Sequence, residues 1–466
     1  MKNVITLLLL IILTGCTRTS VDVDYLAVGQ DYLARSEYDE ALTEFRRGID
    51  EEPNNNLYSL AIADIYLKKG NQDEAIGIIN SSFQLNPHEK TANALGEIYL
   101  NIGDVESSTE WFEKALTLND KYTPSLRGKA KTLALAGKVE ETTRFINELP
   151  VESLDSNLML MKAIVSLDNP TLAGEYILKS TSLDEDTQEL AKELRVALTA
   201  NEENPNLHNS STIVYILLNH GWYEFARVPL AKIITENPFY ETAYIYQGLI
   251  NLNTSQLDMA KENFQKSLEI NSEGVDSIIF LIQTEFLKGE NEAALQRLSE
   301  LTTNKLEKLN AQQLFTLLDI LYKQDEFVSF DTIYSTIPDE SQVPANTKIK
   351  YLKVLVGLEK YEQANSFYQD EFMESKDLKA PEIAVVEILN AYTLFKLNLT
   401  DDALDKVAKA EAADDTVAMV HLHKGLIFIE MEEFSKAKVA LDRAVELDLE
   451  GSVTIDAKKG LEIIPL

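Results

Sequence analysis

Small residues recur along this chain at a nearly fixed interval, and that interval limits its fold more than any other feature. Ala41, Ala75, Ser108 and Thr142 lie 34, 33 and 34 residues apart. The spacing of 34 returns between Ala226, Ala260 and Ala294, and again between Ala403 and Ala437. Self-similarity at such a period marks a repeat architecture, in which copies of one supersecondary unit stack and bury their apolar faces on each other. Each unit reads as two antiparallel helices joined by a tight turn. Small residues sit where the helices cross, because a large side chain would force them apart. A chain of 466 residues would otherwise suggest about three globular domains. The period replaces that expectation with one all-α superhelical solenoid, without a single core.

The flanking residues carry a resemblance. Tyr25 to Pro53 reads YLAVGQDYLARSEYDEALTEFRRGIDEEP, with Gly29, Tyr32, Ala41, Phe45, Gly48 and Pro53 at regular places. The next stretch offers Ala63, Tyr66, Gly70, Ala75, Ile79, Ser82 and Pro87, and the third Gly96, Tyr99, Gly103, Ser108, Phe112 and Ala115. This pattern resembles the tetratricopeptide repeat. The resemblance covers about 430 residues as roughly twelve helix-turn-helix units. Clear units start near 22, 56, 89, 123, 207, 241, 275, 384 and 418, and degenerate ones near 154, 311 and 345. At 311 the match is poorest, with Phe330 where a small residue is expected. Gly70, Gly103, Gly137, Gly221 and Gly289 fall at the turns, where a helix C-terminus favours positive φ. Asp39, Glu40, Asp73, Glu74 and Glu292 open second helices, where acids suit the dipole. Pro53, Pro87 and Pro238 mark the exits. Thr454 to Ile464 reads as a capping helix over the last apolar face.

The phase breaks twice. The reading is an N-terminal repeat segment at 22–180, an irregular connection at 181–206 containing a helical stretch, and a middle segment at 207–369. A second connection at 370–383 leads to the C-terminal segment, 384–466.

The N-terminus reads differently from the repeats. Lys2 precedes an apolar run from Val4 to Leu13, about half the roughly twenty residues that a bilayer core requires, so 1–15 reads as a signal peptide. Leu13-Thr14-Gly15-Cys16 then resembles the lipobox of bacterial lipoproteins, and Cys16 is the only cysteine of the chain. That resemblance implies cleavage before Cys16, lipid modification of its thiol, and a short tether at 16–21. Thr17, where Asp would favour inner-membrane retention in Gram-negative relatives, implies an outer-membrane lipoprotein facing the periplasm. Several acyl chains give stable anchoring where one does not.

The chemistry-bearing motifs of enzymes are missing. The sequence holds no Gly-x-Gly, no phosphate-binding Gly-x4-Gly-Lys and no Gly-x-Ser-x-Gly. His88, His208, His220, His421 and His423 show no metal-binding i, i+4 spacing. The expectation is a non-enzyme with no catalytic residues, no metal, no cofactor and no small-molecule substrate. A net charge of -33 argues against nucleic acid, which needs a basic footprint. Most of that charge is the acidity of the repeat written many times.

A binding surface remains. In tetratricopeptide proteins the first helix of each unit lines a concave groove. The resemblance assigns to it Leu26, Gln30, Leu33, Leu57, Leu60, Asp64 and Leu67 near the N-terminus, and Asn93, Glu97, Arg127 and Lys131 in units three and four. In the middle it assigns Tyr215, Leu218, Ile245, Leu249, Leu252, Ile279 and Phe286. Late in the chain come Ile388, Tyr392, Phe395, Leu422, Leu426 and Ile429. Arg127 and Lys131, four apart, share one helical face. The function implied is a lipid-anchored scaffold that takes partner peptides or helices in the groove and assists a pilus, exopolysaccharide or surface-protein system. The alternative is a regulatory adaptor of a periplasmic enzyme such as a peptidoglycan synthase or protease.

Overall fold

The computed structural model describes residues 24–180, 186–203, 207–337, 342–373, 377–448, 451 and 453–465. Among them are 26 α-helices and no strand. The signal peptide, Cys16 and the tether lie outside the described residues.

The helices pair in sequence. The first five pairs are α1 (Tyr25–Ala34) with α2 (Tyr38–Glu51), α3 (Asn56–Lys68) with α4 (Gln72–Leu85), α5 (Glu89–Ile102) with α6 (Val105–Leu118), α7 (Thr123–Leu135) with α8 (Val139–Glu148), and α9 (Ser156–Val165) with α10 (Pro170–Ser180). A single helix, α11 (Asp186–Glu203), comes next without a mate. Pairing resumes with α12 (Leu207–Asn219) and α13 (Tyr223–Glu236), α14 (Glu241–Asn253) and α15 (Leu257–Ile270), and α16 (Val275–Leu287) and α17 (Asn291–Lys305). It continues through α18 (Ala311–Lys323) and α19 (Phe327–Tyr334), then α20 (Ala345–Gly357) and α21 (Tyr361–Glu371). The last pairs are α22 (Ala380–Lys396) with α23 (Thr400–Ala413) and α24 (Ala418–Glu430) with α25 (Phe434–Leu447), and α26 (Thr454–Ile463) ends the array.

The small-residue series is the axis of packing. Ala41, Ala75, Ser108, Thr142, Ala173, Ala226, Ala260, Ala294, Ala364, Ala403 and Ala437 are all fully buried. A second set of small residues receives aromatic rings. A Cβ added at Gly96 would lie 2.7 Å from the Phe112 ring, and one at Gly128 would lie 2.2 Å from it. Phe112 therefore fills the space between two successive first helices, linking unit three to unit four. Gly29 with Phe45 and Gly248 with Phe264 repeat the device, with added-Cβ distances of 2.3 and 2.4 Å.

Every turn within a helix pair except that between α9 and α10 contains one residue of positive φ. Gly70, Gly103, Gly137, Gly221 and Gly289 have φ between 71° and 85°. Ser36, Ser255, Asp325, Glu359, Asn398 and Glu432 take the same role at φ of 55° to 63°. A non-glycine side chain carries a steric penalty there.

The degenerate unit at 311 holds by other means. Phe330 is fully buried in a stack with Tyr334 and Tyr351, at centroid distances of 6.1 and 6.2 Å. Tyr334 and Tyr351 lie 3.8 Å apart, and the Phe367 ring meets Tyr351 edge-on at 5.0 Å. The helices here are separated by aromatic bulk rather than drawn together by small residues.

The stack also curls more than a quasi-linear solenoid would. Glu37 and Asp39 of the first unit and Lys69 of the second share a cleft of about 750 Å³ with Arg443, Glu446 and Asp448 of the last. The first and last units thus face each other.

Candidate interaction surfaces

The first helices of the opening units present the expected apolar side chains. Leu57 is 42% exposed and Leu67 is also exposed, while Leu60 is half-buried against the cluster of Ala63, Ala75, Ile79, Leu95 and Ile98. Leu26 and Leu33 pack half-buried on the core of the first unit. Farther along, Tyr215 is 51% exposed on α12, and Leu249 is half-buried on α14. Near the C-terminus Phe395 and Tyr392 are half-buried on α22. The Tyr392 ring meets His423 edge-on at 5.2 Å, and Lys396 lies 5.3 Å from its centroid.

Several groove assignments need correction. Leu252 is only 9% exposed and packs with Ala260, Phe264 and Leu281. Phe286 is 5% exposed, in the core that holds Ile282, Ala294, Leu298 and Leu321. Leu218, Ile279, Ile388 and Leu422 are buried too. Leu252 and Phe286 stand in the last turn of their first helices, where the tight turn brings the second helix back over them.

Arg127 and Lys131 have a different fate. With Glu97 they line a cavity of about 440 Å³ whose far wall is His220, Trp222, Glu224 and Phe225. The far wall belongs to the start of α13, which packs on α7, α8 and α9. The unpaired α11 precedes this contact and interrupts the succession of helix pairs. The second helix of the next unit then packs on the first helices α7 and α9 of preceding units. One apolar core runs through this junction, from Leu126 and Leu158 to Phe225, Leu230 and Ile250. The Arg127 guanidinium pairs with Asp155 at 3.1 Å. Burial raises the Glu97 carboxyl above its ordinary pKa, and the charges of Lys131 and Arg127 oppose that rise.

Sequence reasoning missed two buried cations at this junction. The Lys162 ammonium donates to the carbonyls of Ile146, Asn147 and Leu149 at 3.0, 3.1 and 2.8 Å. It satisfies the open carbonyls at the end of α8, where a cation also suits the dipole. Desolvation lowers its pKa. Arg227 on α13 donates to Asn251 and Gln256, both at 2.8 Å, and so ties α13 to the end of α14 and the turn after it. A lysine or arginine in the second or third turn of a repeat helix is the only trace of either in the sequence.

His423 is half-buried in the C-terminal array, against the Tyr392 ring. Its Nδ1 lies 3.1 Å from the Met419 carbonyl. Burial pushes its pKa down to about 4; the Met419 hydrogen bond opposes the shift, Lys353 adds to it, and Asp456 opposes it. Among the described residues no group of three or more His, Cys, Asp or Glu is arranged to hold a metal ion, and no helix is long and apolar enough to cross a membrane.

Tetratricopeptide-repeat families match residues 26–89, 90–122 and 420–450. Anaphase-promoting complex subunit 3 of Schizosaccharomyces pombe is 24% identical over 201 residues, which are 41% of this chain and 30% of that protein. The chain thus aligns with less than a third of this curated relative. Among solved structures, the APC/C hetero-tetramer Cut9-Hcn1 aligns over 93% of this chain and 94% of its own, at 13% identity and a TM-score of 0.40. Yeast Tom70 aligns over 87% and 95%, at 14% identity and a TM-score of 0.34. The described residues form an all-helical solenoid of stacked helix pairs, in which these three stretches match the tetratricopeptide repeat.

Proposed function

We propose that this protein is a lipid-anchored interaction scaffold of a Gram-negative cell envelope, held in the outer membrane and facing the periplasm. Its inner helix face takes a helix or extended peptide of a partner in a pilus, exopolysaccharide or surface-protein assembly. The observation that carries the binding part is the exposure of apolar side chains on first helices, Leu57 and Leu67 on α3 and Tyr215 on α12, with Leu60 and Leu249 half-buried. An amphipathic helix offers its apolar i, i+3, i+4 positions to side chains of this kind. The stretch around Arg127 and Lys131 is left out of this role, because α13 closes it. The anchoring part is supported by the lone Cys16 after Leu13-Thr14-Gly15.

Fractionation tests the anchor. Cys16→Ala should release the protein from membranes; a variant that remains in the outer-membrane fraction overturns it. Paired Leu57→Glu and Leu60→Glu test the groove. They should abolish crosslinks to the envelope partner in intact cells, and unchanged crosslinking excludes the N-terminal units as the site.

A further inference from the structure

The last full unit carries a second concave surface, on another side of α24 from the groove residues. Phe428, Val439 and Ala440 form the floor of a cavity of about 580 Å³ between α24 and α25. That volume lies within the range of roughly 300–1,000 Å³ typical of ligand sites. Val439 is 71% exposed, so the floor is open to solvent. Lys424, Lys436 and Arg443 stand around it. The ammonium groups of Lys436 and Lys424 lie 5.3 and 6.0 Å from the Phe428 ring centroid. His421 and Ser435 complete the lining, which holds no carboxylate.

This composition runs against the rest of the molecule. The chain has 76 acidic and 43 basic residues. Lys424 pairs with Glu411, Lys436 with Glu433, and Arg443 with Glu446, all outside the lining. Solvent-accessible pairs of this kind are weak and exchange readily with a carboxylate brought by another molecule. Lys436 and Lys424 keep their aliphatic stems along the apolar floor and their charges at its edge. A ligand that fills the cavity must offer both a large aliphatic group and negative charge beside it.

We propose that this surface docks an acidic peptide segment of a partner protein, with a leucine-sized side chain on Phe428 and Val439 and flanking carboxylates on Lys436 and Arg443. The surface is separate from the inner groove, so the scaffold holds two segments at once. Long-range electrostatics oppose the match: a chain of net charge -33 repels an acidic peptide at a distance. Preference for that peptide over a neutral one must therefore arise locally.

The test is fluorescence anisotropy of the full chain with a fluorescein-labelled peptide Asp-Glu-Leu-Leu-Asp-Glu. Saturable binding is expected, weaker by at least tenfold for the Asn-Gln-Leu-Leu-Asn-Gln version. Val439→Glu and Lys436→Glu should each weaken it at least tenfold while leaving the helical circular dichroism unchanged. Both side chains are exposed, and Arg443→Ala serves as a third, milder variant. The pair Leu57→Glu and Leu60→Glu should leave this affinity unaltered. Absence of saturation, equal affinity for the neutral peptide, or insensitivity to the three pocket variants overturns the proposal. So does binding of phosphatidylglycerol vesicles through Val439 without binding of the peptide, or a dimer that Val439→Glu dissociates and the peptide does not.

Discussion

Units three and four and the units at 311–371 solve the same packing problem in opposite ways. Around Phe112, glycines on two successive first helices clear the space for one ring. Around Phe330, no space is cleared. The ring takes the place of the small residue, and Tyr334, Tyr351 and Phe367 build outward from it. Phe112 and Phe330 are both fully buried. The repeat thus fixes the path of the helices, while volume at the crossing can be shared in more than one way. Cores tolerate such redistribution when total volume is kept.

The largest effect is expected from Phe330→Ala. It brings the sequence closer to the repeat pattern, yet it should cost about 3–5 kcal/mol locally, because the surrounding rings cannot collapse onto a methyl group. Native-state hydrogen exchange of α18 to α20 reads this directly, and unchanged protection would mean that the aromatic stack is dispensable. A local measurement is needed because long repeat arrays do not unfold in one step. Gly128→Ala is the converse. Alanine is the better helix former, but its Cβ would lie 2.2 Å from Phe112. A loss of roughly 1–3 kcal/mol is expected in α5 to α8, whereas a gain in protection there would refute the close-contact account.

Acid should separate the glycine-cleared units from the C-terminal array that adjoins the aromatic ones. The folded His423 titrates near 4 and its unfolded counterpart near 6.5, so the folded state binds fewer protons between those values. Its contribution is complete above about 6.5 and is lost as pH falls toward 4. Exchange in α22 to α26 should quicken over that window more than in α5 to α8, and His423→Gln should remove the excess. An equal response in both regions would assign the acid effect elsewhere. The smallest expected change is a gain. Glu432→Gly relieves a side chain held at φ of 59° and should stabilise the last unit by roughly 0.5–1 kcal/mol, read as slower exchange in α24 and α25.

Much of the fold was legible because its determinants are local and repeated. The fully buried series from Ala41 to Ala437 and the turn glycines with positive φ follow from the spacing alone. The six non-glycine turns follow from it less plainly, since Ser36 or Glu359 carries no conformational signal of its own. The surfaces were less legible. Whether a first-helix side chain meets solvent depends on how closely its neighbours approach, which is why Leu57 is exposed and Leu252 is not. Arg127 and Lys131 do share a face, yet the wall opposite them is set by residues about 90 positions later. The pocket under Val439 combines two helices whose separate patterns look like ordinary repeat surface.

The unpaired α11 gives the array something like a reading frame. Duplicating a whole unit adds two helices and keeps the succession of first and second helices. Adding one helix acts as a frameshift: α13 retains its repeat sequence but meets a surface that its sequence equivalents do not. Repeat proteins of this kind can therefore acquire a new internal contact, and lose part of a groove, without altering a single residue of the repeats involved.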